Sequence, residues 1–211
     1  MTRSVIFDCD GVLVDTELIS NRVLAGLLTT AGLPTTLEDC MRDYRGRAME
    51  SVVTLVTERH GAPLPADLPD RYYAEVKAVF ARELQPVPGV VAALDRIALP
   101  SCVASSGPHH KMAVTLRRTG LWERFEGRIF SASEVAAGKP APDLFLHAAR
   151  MMGFDPAATA VVEDSVPGIE AARAAGMRAL AFARHTDADV LEAAGGEPFH
   201  DMAELPRLLA G

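Results

Sequence analysis

Apolar positions along the chain follow two different periods. Ser4-Val5-Ile6-Phe7 is a short apolar run with β-branched residues that stops at Asp8-Cys9-Asp10-Gly11. This is the pattern of a buried strand ending in a tight turn. Similar runs predict strands at Ser101–Ser105, Thr159–Glu163 and Arg178–Phe182, with a weaker one at Gly127–Ser131. Helical spacing fills the gaps, as from Pro142 to Met152 and from Val166 to Ala175, the latter closed by Gly176. Strands alternating with helices of this length predict an α/β fold, a parallel sheet covered on both faces.

Between Thr16 and Gln85 the strand rhythm disappears. Leu18, Val23, Leu24, Leu27 and Leu28 recur at helical spacing, as do Val52, Val53, Leu55 and Val56, then Tyr72, Tyr73, Val76, Val79 and Phe80. Gly32-Leu33-Pro34 and Gly61-Ala62-Pro63-Leu64-Pro65 separate the helices, and Pro86-Val87-Pro88-Gly89 returns the chain to the alternating region. The pattern therefore predicts an α/β core from residues 1–15 and 86–211, interrupted by a helical domain at 16–85.

Composition narrows the setting. With 211 residues, 49% of them hydrophobic, the chain has material for a domain of ordinary size and a smaller second one. No apolar run approaches the ~20 residues of a membrane span. Met1 to Phe7 turns acidic at Asp8, unlike a signal peptide. A net charge of -7 argues against nucleic acid as the main partner. Cys9, Cys40 and Cys102 show no CxxC pairing and suit a reduced cytosol, so a cytoplasmic location is expected. Lysine is scarce (Lys77, Lys111 and Lys139 alone), which makes each one worth asking about.

Four clusters fall at or beyond predicted strand ends. Asp8 and Asp10 lie two apart, so on a strand both carboxylates face one side while Cys9 faces the core. Two carboxylates this close repel unless a cation or proton intervenes, and a hard cation such as Mg²⁺ answers that need. Glu163-Asp164-Ser165 is a second acidic group before a helix, although helix capping alone also accounts for Asp164 or Ser165. Ser105-Ser106-Gly107 precedes a helix start that suits phosphate, but loop serines are common. Lys139, between Gly138 and Pro140, is either an exposed loop lysine or a compact charge for phosphate. Together, on one rim of one sheet, the four can converge on Mg²⁺ and a phosphate.

On these residues the chain resembles the haloacid dehalogenase-like hydrolase superfamily. Asp8 to Glu17 (DCDGVLVDTE) matches its first motif, Val103-Ala104-Ser105-Ser106 the second, Lys139 in GKPAPD the third, and Glu163-Asp164 in VVEDSVPGIEAARAAGM the fourth. The helical insert resembles the cap of the β-phosphoglucomutase and phosphoglycolate phosphatase branch. Within that branch FDCDG, RGR and ASSGPHHKM look most like bacterial sugar-phosphate phosphatases, including those acting on 6-phosphogluconate. The resemblance implies a Rossmann-like sheet of order 3-2-1-4-5. It implies Asp8 as the nucleophile forming an aspartyl-phosphate and Asp10 as general acid and then base. It also implies Mg²⁺ on Asp8, the Asp10 carbonyl and Asp164, with Glu163 holding a ligand water. Ser105 and Lys139, with Ser106 and Gly107 nearby, would hold the phosphoryl oxygens. An acid at position 10 favours an oxygen leaving group over halide or phosphonate chemistry.

Substrate selection is expected from the cap, implied to close over the site. Candidate contacts there are Thr16, Ser20, Asn21, Arg45 and Arg47 around Gly46, and Lys77. His109, His110 and Lys111 follow the second motif on the core side, but Lys77 and Lys111 read as plain surface residues. Arg47 suits a carboxylate or distal phosphate, or is simply a solvated helix end. The mutases of this branch carry a histidine early in the first cap helix, where this chain has Glu17-Leu18-Ile19-Ser20-Asn21. That departure favours a phosphatase over a mutase, and intact motifs favour either over a silent phosphosugar-binding regulator. The expected partner is a small phosphorylated metabolite, with no nucleic acid or membrane, and the expected state is a monomer.

Overall fold

A computed structural model describes residues 1–45, 47, 49–61 and 63–211, Glu50 by its backbone only. Gly46, between the two candidate arginines, and Ala62 in the second predicted linker lie outside the described residues. The chain divides into two compact units, one made of Met1–Val14 and Gln85–Gly211, the other of Asp15–Leu84.

The larger unit is built on a parallel sheet. Its strands are β1 (Ser4–Phe7), β2 (Ser101–Ser105), β3 (Ile129–Ser131), β4 (Thr159–Glu163), β5 (Arg178–Phe182) and β6 (Glu197–Phe199). Their spatial order is β3-β2-β1-β4-β5-β6. β1 lies between β2 and β4, with Phe7 opposite Val103 on one side and Val162 on the other. All four β1 residues are buried, as both faces of a central parallel strand must be. Ile6, Ala104 and Val161 pack with Leu144, Phe145, Ile169 and Ala172 in one core layer. On the other face Phe7 meets Phe125 edge to face, with ring centroids 6.0 Å apart.

The sheet order expected for five strands holds, and β6 extends it by one. That strand escapes a hydrophobic-run criterion because it is three residues long and contains Pro198. Proline is tolerated at a sheet edge, where its nitrogen needs no partner.

The helical unit supplies α1 (Thr16–Thr30), α2 (Leu37–Asp43), α3 (Met49–His60) and α4 (Leu68–Glu83). The larger unit then has α5 (Val90–Arg96), α6 (His109–Arg118), α7 (Trp122–Phe125), α8 (Asp143–Met152), α9 (Val166–Ala174), α10 (Ala188–Ala193) and α11 (Leu205–Ala210). In the helical unit Leu24 and Leu28, Cys40, Val52 and Val56, and Leu68 bring α1 to α4 into one core. Thr36 caps α2 by accepting from the Asp39 N–H, while the Asp39 carboxylate accepts from the Thr36 N–H. Two apolar positions of the helical pattern, Leu18 and Tyr73, are exposed, so the pattern is broader than the buried stripe. Among the described residues no helix is long and apolar enough to cross a membrane.

All three cysteines are free and buried. Burial pushes the Cys102 thiol up to about 12. It pushes Cys40 to about 11, aided by Asp39 and Asp43. Burial, with Asp10 and Asp8 nearby, also raises Cys9 well above the usual thiol range. Since the thiolate is the reactive form, a chromogenic disulfide reagent at pH 8 is expected to label none of them in the native protein. All three should react once the chain is unfolded in guanidinium, and fast native labelling would contradict this packing.

Candidate active site

Two carboxylates emerge where β1 ends. The Asp8 N–H still donates to the Val162 carbonyl at 3.0 Å, so Asp8 continues the sheet one residue past the strand. The chain then turns sharply, with the Leu13 and Val14 N–H groups both donating to the Cys9 carbonyl. Gly11 makes the turn possible at φ 81°, a left-handed conformation that favours glycine. A Cβ at that position would lie 2.0 Å from Asp164 Oδ2. Glycine thus lets the fourth-strand acid pass directly over the first-strand turn.

Lys139 is the centre of the charge network. Its side chain is only 6% exposed, and its Nζ donates to Asp8 Oδ1 and to Glu163 Oε1, both at 2.5 Å. The ammonium also sits 5.0 Å from the centroid of the Phe145 ring. Burial disfavours its charge, but the Asp8 and Glu163 carboxylates outweigh that and hold its pKa above the ordinary lysine value. Asp8 is pushed up to about 7 by burial, with Lys139 pulling down and Glu163 and Asp10 adding to the rise.

Glu163, at the end of β4, has both oxygens engaged. Oε1 takes Lys139, while Oε2 accepts from the backbone N–H of Asp164 and of Ser165 and from the Ser165 hydroxyl. Ser165 also accepts from the Gly168 N–H and so caps α9. The Glu163 carboxyl lies where a Cβ on Gly168 would be, 1.9 Å from that position. Asp164 is anchored differently, its carbonyl accepting from the Thr186 hydroxyl at 2.8 Å.

The second-strand loop completes the rim. Ser105 is buried, and its Oγ accepts from the Gly107 N–H at 3.2 Å, whereas Ser106 is exposed. A Cβ on Gly107 would stand 3.5 Å from Ser105 Oγ, 3.5 Å from Lys111 Cδ and 3.8 Å from Asp10 Oδ2. Ser131, at the end of β3, ties the loop down by donating to the Gly107 carbonyl at 2.9 Å. Lys111 departs from the surface role its sequence position suggests, because its Nζ donates to Asp10 Oδ2 at 2.7 Å. The first turn of α6 aims this lysine back across Gly107, a placement set by three-dimensional loop geometry. The rarity of lysine and its place just after the second motif, in ASSGPHHKM, are the signals in the sequence that single it out.

The residues predicted in the helical unit have other surroundings. Thr16 opens α1 and is buried. The Asn21 side-chain amide donates to the Glu17 carbonyl of its own helix. Arg47 is exposed, its Nε donates to the Asp43 carbonyl at 2.9 Å, and it lines an open cleft of about 630 Å³ with Arg42, Tyr44 and Arg59. Lys77 is exposed.

The chain's residues 2–176 match the model of the haloacid dehalogenase-like hydrolases. The chain belongs to that family. It is 30% identical over 207 residues to the 6-phosphogluconate phosphatase of Escherichia coli, covering 98% of this chain and 94% of that protein. A crystal structure of a haloacid dehalogenase-like protein of unknown function from Agrobacterium tumefaciens is 38% identical with a TM-score of 0.93, over 100% of this chain and 98% of that one. A family hydrolase from Deinococcus radiodurans, with bound phosphate and sodium, is 30% identical with a TM-score of 0.86, over 99% of this chain and 95% of that one. Family and relatives together make this chain an enzyme, a phosphoric monoester hydrolase. The family is generally metal-dependent.

The donors on the rim suit a hard cation. Asp8 and Glu163 bind the Lys139 ammonium, Asp10 binds that of Lys111, and the Asp164 carboxylate lies beside the Gly11 turn. Asp10 Oδ1 is buried with no hydrogen-bond partner among the described residues. Among those residues no three acidic, histidine or cysteine groups close into a cage of their own. The carboxylate oxygens of Asp8 and Asp164 are the kind of ligand that a hard cation such as Mg²⁺ takes.

The fit of Glu163 against α9 is directly testable. Gly168→Ala must displace a carboxylate that Lys139 and the α9 N-terminus both require. Overpacking of this kind is expected to cost about 1–3 kcal/mol in urea unfolding. An unchanged midpoint would mean that Glu163 can leave without loss.

Proposed function

We propose that this hydrolase is a Mg²⁺-dependent phosphatase of small phosphorylated sugars or sugar acids, 6-phosphogluconate among them, working through an aspartyl-phosphate. The observation that carries the reading is the buried Lys139 ammonium held against the Asp8 carboxylate. A cation so placed orients the attacking oxygen and offers charge to the phosphoryl group that approaches it. The sugar-acid substrate class is supported by likeness to the enzyme named 6-phosphogluconate phosphatase over nearly the whole of both chains.

In this reading an Asp8 oxygen attacks phosphorus, an Asp8–phosphorus bond forms, and the ester P–O bond breaks. Asp10 gives its proton to the departing alkoxide, so the sugar leaves as an alcohol. Asp10 then takes a proton from the attacking water as the acyl-phosphate bond breaks, which returns Asp8 and releases inorganic phosphate. Splitting one displacement into two lowers each barrier. Lys139 and the Ser105 hydroxyl hold the phosphoryl oxygens, with Ser106 and Gly107 nearby. Asp8, the Asp10 backbone carbonyl and Asp164 would hold Mg²⁺, which neutralises phosphoryl charge. Glu163 serves this set through Lys139 and the α9 N-terminus, its own oxygens being taken. Thr16 and Arg47 are the helical-unit candidates for substrate contact, with Arg47 suited to a carboxylate.

Phosphate release is to be measured with 6-phosphogluconate, β-glucose 1-phosphate and phosphoglycolate, with Mg²⁺ and after chelation. Preferential release from 6-phosphogluconate, lost on chelation and abolished in Asp8→Asn, is the expected result. Release that survives Asp8→Asn would sink the aspartyl-phosphate route. Glucose 6-phosphate formed from β-glucose 1-phosphate, with little free phosphate, would make the enzyme a mutase.

A further inference from the structure

The contact between Lys111 and Asp10 has no place in the motif set that defines the rim. Lys111 lies in the first turn of α6, where its N–H donates to the Pro108 carbonyl at 3.0 Å. The loop before it is fixed from two sides. Ser131 Oγ holds the Gly107 carbonyl, and His109 Nε2 lies 2.7 Å from Glu134 Oε1. The lysine stem runs past Gly107 and its Nζ reaches Asp10 Oδ2 at 2.7 Å. The other oxygen, Oδ1, is buried with no partner among the described residues. Side-chain exposures of 37% for Lys111 and 26% for Asp10 set this pair apart from a fully solvated surface bridge.

A carboxylate used for proton transfer has two equivalent oxygens and a freely turning Cβ–Cγ bond. Holding one oxygen fixes the direction of the other, and proton transfer is sensitive to such direction. We propose that Lys111 is a positioning residue for Asp10, its ammonium holding Oδ2 and so setting the turn of the carboxylate that passes a proton to the leaving oxygen. The proposal rests on the phosphatase reading, with Asp10 as the acid. It gives Lys111 no contact with substrate. A lysine that instead recognised an anionic tail would matter only for substrates carrying one.

Leaving-group dependence separates these roles. Nitrophenolate departs without a proton, whereas the alkoxides of β-glycerol phosphate and 6-phosphogluconate need one. kcat/KM covers the steps through departure of the leaving group, so the later hydrolysis of the aspartyl-phosphate, common to all three esters, drops out. Lys111→Met is expected to lower kcat/KM on both alkyl phosphates at least about tenfold more than on p-nitrophenyl phosphate, within the range general acid catalysis supplies. Lys111→Arg should recover part of that loss, since it keeps the charge in a different shape. Should the methionine variant fail to fold by circular dichroism, Lys111→Gln takes its place under the same criterion. A loss confined to 6-phosphogluconate, or equal on all three esters, overturns the assignment while leaving the phosphatase intact. Absence of turnover by the unaltered enzyme on every ester would overturn the phosphatase reading and this one with it.

Discussion

Taking an ammonium out of water costs several kcal/mol unless carboxylates replace the solvent around it. Lys139 meets that condition with two, Asp8 and Glu163. The requirement reaches outward through the larger unit. Glu163 must sit at the end of β4 with its second oxygen saturated by the start of α9, which in turn requires Gly168 to have no side chain. Phe145 must offer its ring to the same ammonium, which fixes one contact of α8. Residues far apart along the chain are therefore bound by one charge balance, and deleting Lys139 would leave two buried carboxylates without a cation between them.

The two aspartates of the first turn are only two residues apart, yet their surroundings differ. Asp8 faces an enclosed lysine in the turn before α8, and Asp10 a partly exposed one on α6. Different environments for paired carboxylates are how one site assigns them different tasks. Here the difference is made by backbone: β1 and its turn deliver both acids, while separate crossovers deliver the two cations.

Much of this arrangement is legible in the sequence, for definite reasons. β1, β2, β4 and β5 are continuous apolar runs because both faces of each strand are covered, and that signal survives without knowledge of the fold. The acids stand out because they follow such runs directly, and Lys139 because lysine is scarce and this one lies between Gly138 and Pro140. Lys111 stands out far less, since its partner lies 101 residues away and only the bend at Gly107 brings them together. Glu163 is visible as an acid, but not the saturation of its oxygens, which depends on how α9 begins. The exposure of Tyr73 within an apolar helical pattern has a similar origin, because period alone does not say how wide the buried stripe is.

The sixth strand carries a consequence for how the molecule behaves in a crowd. The Ala183 N–H donates to the Phe199 carbonyl at 2.8 Å, so Phe199 turns its backbone toward β5. Its neighbour Pro198 must then turn the opposite way, toward the outside of the sheet. At the place where an edge strand ordinarily offers an N–H to a passing chain, this one has a ring carbon in its stead. A growing fibril or a second sheet finds no donor to dock on there. The residue that hides β6 from a search for hydrophobic runs is thus the one that keeps that edge solitary.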